Sequence, residues 1–135
     1  MATYVKFQPF VEAVAEKVHN LGSDQLAVAL TNTAPNATDA TLSQITEISY
    51  TNLSSRAITT SSSAQTSGTY KLTLADLVLT ASGSVGPFRY VVIYNDTSAS
   101  DNLIAYYDYG TSISLASGET FTIDFDAASG FLTIA

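Results

Sequence analysis

The hydrophobic period changes once along this chain, and that change limits the folds open to it. From Phe7 to Leu21 apolar residues recur every three or four positions; from Asp24 onward they mostly alternate, in a background rich in Ser, Thr and Gly. The first period describes an amphipathic helix and the second a succession of half-buried strands. The expectation is a mainly β fold over residues 1–135. It is a single antiparallel β-sandwich or jelly-roll-like domain with one short N-terminal α-helix at about residues 8–21.

On that helix Phe7, Phe10, Val11, Val14, Val18 and Leu21 share a face, and Glu12, Glu16 and Lys17 lie off it. Pro9 suits a first turn, where its missing N–H has no partner to lose. Glu12 and Glu16 are read as lying near the positive end of the dipole. Gly22 is placed as the left-handed C-terminal cap.

The strand region divides at its turn residues. Asp24 to Thr31 is the first strand, with Leu26, Val28 and Leu30 on one side and Ala27 and Ala29 on the other. Thr31 to Ala40 is a polar loop, and Thr41 to Ile48 fits either a short helix or an irregular strand. Tyr50 to Thr60 reads as a short strand and Ser61 to Gly68 as an exposed, mobile loop. Phe88 to Tyr94 is apolar on both faces apart from Arg89, the pattern of a central strand, and Leu103 to Tyr109 is its return. Tyr90 and Tyr94 share parity with Phe88 and are placed on its core face. Roughly eight strands result, closed by Phe131 to Ile134.

Composition narrows the function. The chain has 12 acidic and five basic residues, a net charge of −7. The bases (Lys6, Lys17, Arg56, Lys71, Arg89) are scattered, so neither nucleic acid nor an anionic membrane is an expected partner. Charged residues are only 13% of the chain, which suits a surface that packs into an assembly. There is no Cys, which removes disulfides and thiolate metal sites. The first residues lack a secretory pattern, and no apolar run is long enough to span a bilayer, so a soluble product made in a cytoplasm is expected.

No set of residues builds an active site. His19 is the only histidine, and it is placed structurally in the last helical turn. A triad needs a base with an orienting acid, and no nucleophile elbow accompanies it. Asp96, Asp101 and Asp108 do not have the spacing of a calcium loop. Asp124 and Asp126 are read as two positions of one outward strand face, suited to edge protection. The Asn-x-Ser/Thr triplets at Asn36, Asn52 and Asn95 are read as incidental. Tyr90, Tyr94, Tyr106, Tyr107 and Tyr109 cluster on two strands, with Tyr106 taken as the outward ring. No catalytic residue, cofactor or metal is expected.

Two stretches carry a resemblance: Phe10 to Asp24 with Leu26-Ala-Val-Ala-Leu-Thr-Asn-Thr-Ala-Pro35, and the later runs Phe88 to Asp96, Leu103 to Gly110, Ser117 to Phe125 and Gly130 to Ala135. This pattern resembles small structural proteins of tailed bacteriophages, across nearly the whole chain and weakly between Asn36 and Gly68. The resemblance implies a non-enzymatic virion component, with a capsid decoration (cement) protein bound to the major capsid protein lattice as the leading expectation. A homo-oligomer, trimer or dimer, is implied. A tail or fibre accessory protein is the alternative, and a carbohydrate-binding module using Tyr106 is the reading from another class. The residues expected at the partner are Thr3, Tyr4, Val5 and Phe7, with Thr33, Pro35, Asn36 and Thr41 from the following loop.

Overall fold

A computed structural model of the chain describes residues 2–135. It is mainly β, with antiparallel sheets and one α-helix. The elements in chain order are β1 (Thr3–Lys6), α1 (Gln8–Ala15), β2 (Leu26–Thr31), a 3₁₀ turn (Leu42–Gln44), β3 (Ala57–Ile58), β4 (Thr60–Thr66), β5 (Thr69–Leu74), β6 (Leu77–Thr80), β7 (Val85–Asn95), β8 (Leu103–Leu115), β9 (Thr120–Ile123) and β10 (Leu132–Ile134). One sheet runs β1-β8-β7-β2-β3; two smaller ones run β10-β5-β4 and β6-β9.

The large sheet is buried on both faces, which explains its two-sided apolar strands. Leu26, Val28 and Leu30 of β2 join Val91 and Ile93 of β7 in the main core. Leu72 and Leu74 of β5, Leu79 of β6, Ile123 of β9 and Leu132 of β10 close that core from the smaller sheets, giving a sandwich-like arrangement. On the other face Ala27, Ala29, Val92, Tyr94 and Leu103 pack with Phe7 and Ile45 in a second cluster. The alanines leave room for Ile45, which follows the 3₁₀ turn. That turn resolves the Thr41–Ile48 alternatives, and its Thr41–Gln44 capping box satisfies orphan backbone donors.

The helix is shorter than its periodicity suggests. It stops at Ala15, because Lys17 takes a left-handed φ of 69°. Lys17 N–H bonds the Val14 carbonyl and Val18 N–H the Ala13 carbonyl at 2.9 Å, a Schellman closure. Gly22 is therefore not the cap, and Val11 is exposed rather than packed. Glu16 sits at the C-cap and no acid occupies the first turn, so the expected dipole benefit is absent. Eight residues are too few for a self-supporting helix. Phe10 anchors this one in the main core, and Gln8 N–H bonds the Ala37 carbonyl at 2.8 Å.

Two further expectations are corrected. Ser61–Gly68 is not a loop: most of it is β4, paired with β5 from Thr60↔Leu74 to Thr66↔Thr69. Tyr90 and Tyr94 do not share a face with Phe88. The β7–β8 register shifts between Phe88 and Tyr90, and such an irregularity inverts parity beyond it. Phe88 enters the main core, whereas Tyr94 lies in the second cluster and Tyr90 packs edge-on against Tyr106. At the start of β7, Gly86 permits a close approach, since a Cβ there would meet the Ile113 carbonyl oxygen at 2.8 Å.

Candidate functional site

The residues expected at a partner surface are divided by the large sheet. The β1–β8 register pairs Thr3 with Asp108, Tyr4 with Tyr107 and Val5 with Tyr106. Strand alternation then sends Thr3, Val5 and Phe7 to one face and Tyr4 to the other. On the first face lies the 33–41 loop, tied to the helix start through the Gln8–Ala37 bond. Thr33 and Asn36 are exposed there, while Pro35, Thr41 and Val5 are half-buried. Phe7 is 0% exposed and packs on Tyr106 at 5.2 Å. It is a core residue and not a contact for a partner, because the extended chain before α1 turns it inward. Tyr106 is half-covered by Phe7 and Tyr90 and does not stand free.

Beyond β1 the large sheet has an open edge. Phe7 N–H bonds the Ile104 carbonyl at 3.1 Å, so antiparallel alternation turns the backbones of Val5 and Thr3 toward β8 and those of Tyr4 and Lys6 outward. Among the described residues no other strand pairs with that edge.

Tyr4 also borders a groove of about 580 Å³, formed with Tyr107, Tyr109, Phe131, Asp124 and Asp126. Its aromatic rings meet at angles: Tyr4 is 5.6 Å from both Tyr107 and Phe131, at interplanar angles of 64° and 84°. Burial pushes the Tyr4 phenol up to about 12. Burial, reinforced by the Asp124 charge, does the same for Tyr109, also to about 12. Tyr107 is raised by burial and then by its acidic and phenolic neighbours. All three phenols are neutral at physiological pH. Asp124 and Asp126 are not on a strand, since β9 ends at Ile123. They form the turn that follows, where Asp124 Oδ1 accepts the Asp126 N–H at 2.8 Å. The edge-protection reading of this pair is therefore replaced by a place on the groove rim. Periodicity could not reveal the groove, because its residues come from opposite ends of the chain.

A second hollow, of about 560 Å³, is lined by His19, Asp24, Ser63 and Tyr70 among others. His19 follows the helix rather than ending it. Its Nδ1 meets Asn95 Nδ2 at 3.0 Å, and the same amide nitrogen donates to Asp24 Oδ2 at 2.7 Å. Ser63 Oγ is bonded to Tyr70 Oη at 2.7 Å. The amide of Asn95 thus stands between imidazole and carboxylate, and the hydroxyl is engaged elsewhere, so this geometry is not a serine–histidine–acid relay. Asn95 is 0% exposed, which removes its triplet as a glycan acceptor. Asp108 pairs with Arg89 at 2.8 Å, apart from Asp96 and Asp101. Among the described residues no three metal-ligating side chains converge.

No protein-family model, curated protein or solved structure matches this chain.

Proposed function

We propose that this protein is a non-enzymatic structural component of a virion, a capsid decoration protein that binds the outer face of the major capsid protein lattice as a homo-oligomer. The observation that carries this reading is the open β1 edge, flanked by exposed side chains on both faces of the sheet. An unpaired edge strand is a template for another chain. Two copies meeting edge to edge across a two-fold axis would extend the sheet symmetrically. The runs Phe10 to Asp24, Leu26 to Pro35, Phe88 to Asp96, Leu103 to Gly110, Ser117 to Phe125 and Gly130 to Ala135 add the likeness to small tailed-phage structural proteins. A low charge density and a net charge of −7 suit a basic shell surface. Many copies on a lattice give avidity without strong single contacts.

The test is light scattering of the purified protein, followed by co-sedimentation with empty shells. A dimer or trimer that sediments with shells supports the reading. A Thr3→Lys/Thr33→Lys variant, altered only at exposed positions, is expected to stay folded and lose shell binding. A monomer that ignores shells overturns it. Immunogold labelling that marks tails rather than heads moves the site to a tail or fibre accessory.

A further inference from the structure

We infer that the groove between β1 and the 124–131 turn is a receptor for an arginine side chain of the partner protein. The inference rests on the assembly role proposed above, in that the arginine belongs to the protein bound there.

The chemistry of the groove is acceptor-rich and aromatic. Asp124 and Asp126 sit on its rim, both exposed. Among the described residues the sole ion pair is Arg89–Asp108, and neither rim carboxylate forms a salt bridge with any of them. Tyr4, Tyr107 and Tyr109 line the groove beside them, and each carries a hydroxyl oxygen able to accept a hydrogen bond. A guanidinium offers five N–H donors in a planar fork, matching carboxylate geometry, and is attracted to aromatic faces. Tyr4 meets Tyr107 and Phe131 edge to face, and those two rings are tilted to one another, so they form no flat shelf, which disfavours a stacked sugar. The carboxylates also raise the Tyr107 and Tyr109 phenols. The negative field therefore reaches into the groove, and a cation there relieves it.

The carboxylates can be neutralised without disturbing the turn. Asp124 and Asp126 each use Oδ1 to accept a backbone N–H, at 2.8 and 3.2 Å, and asparagine retains that oxygen. Asp126 has a φ of 51°, a conformation asparagine tolerates well.

The experiment is a chemical-shift titration of ¹⁵N-labelled protein with a blocked Gly-Arg-Gly peptide and its citrulline analogue, a neutral near-isostere. The arginine peptide is expected to shift amides of residues 2–4, 107–109 and 122–131, and the citrulline peptide to leave them still. Asp124→Asn/Asp126→Asn is expected to weaken binding roughly tenfold. Equal binding of citrulline, undiminished binding by the double variant, or shifts caused only by methyl glycosides overturns the assignment. Shell co-sedimentation separates the two readings. Shell binding unaffected by the double variant, with a silent arginine peptide, removes the groove and leaves the assembly role. Arginine seated in the groove of a protein that ignores shells does the reverse.

Discussion

Asn95 Nδ2 lies 3.0 Å from His19 Nδ1 and donates to it, which assigns the imidazole proton to Nε2. That Nε2 is buried without a partner among the described residues, and burial lowers the His19 pKa from its ordinary 6.5 against the opposing charge of Asp24. In the unfolded chain His19 binds its proton near 6.5, so on acidification the unfolded state takes up a proton that the folded state resists. The stability due to neutral His19 is full above about pH 6.5 and is lost as pH falls through the lowered folded value. The urea midpoint is expected to be level from about pH 8 to 7 and to decline below that, while His19→Gln stays flatter over the same interval. The imidazole resonances give the folded pKa directly, and a value at or above 6.5 rejects the account.

The same asparagine is the knot between the segment after α1 and the β7–β8 hairpin. Its Oδ1 accepts from Thr97 N–H at 2.9 Å and Ser98 N–H at 3.1 Å, while Nδ2 serves His19 and Asp24. Asn95→Ala removes all four bonds and strands buried polar groups, a cost of about 2–4 kcal/mol. Asn95→Asp keeps the acceptor but sets a second carboxylate against Asp24. Its loss at neutral pH is expected to exceed that of a simple missing donor and to shrink as the pH is lowered through the carboxylate range. Denaturant unfolding at two pH values measures both effects.

Lys17 carries the left-handed cap of α1 at φ 69°, where a Cβ is unfavourable and glycine is the usual residue. Its side chain is exposed and makes no ion pair among the described residues. Lys17→Gly is therefore expected to stabilise the fold by up to about 1 kcal/mol, part of the gain being offset by the greater freedom of glycine in the unfolded chain. Thermal unfolding checks the sign, and a lower melting temperature shows the lysine conformation to be unstrained.

What could be read from the sequence is what burial had written into it. Leu72 and Leu74, and the two-faced run from Val91 to Tyr94, announce strands because each inward position is apolar. Lys17 hid the helix end, since nothing in a lysine side chain signals a left-handed backbone. Phe7 reads as the end of an N-terminal segment offered to a partner, whereas the chain, still extended there, turns it into the second cluster. The groove joins Tyr4 to Asp124 and Phe131, a juxtaposition that only the closed fold creates.

The β4–β5 hairpin holds the element least visible in the sequence. Its β4 strand, Thr-Ser-Ser-Ser-Ala-Gln-Thr, is exposed or half-exposed throughout, so no alternation records which face is inward. The turn supplies the signal instead. Ser67 and Gly68 have φ of 51° and 86° between the paired Thr66 and Thr69, as in a two-residue type I′ turn, for which Asn-Gly is the favoured pair. Ser67→Asn is expected to stabilise the protein by a few tenths of a kcal/mol, asparagine tolerating the left-handed region better than serine. Gly68→Ala is expected to destabilise by about 1 kcal/mol, although no atom lies within 4 Å of the added Cβ, because the cost is conformational. Amide exchange provides the independent check. Alternate β4 amides that bond β5 are expected to be protected, and uniformly fast exchange from residue 61 to 68 means that the run behaves as a loop.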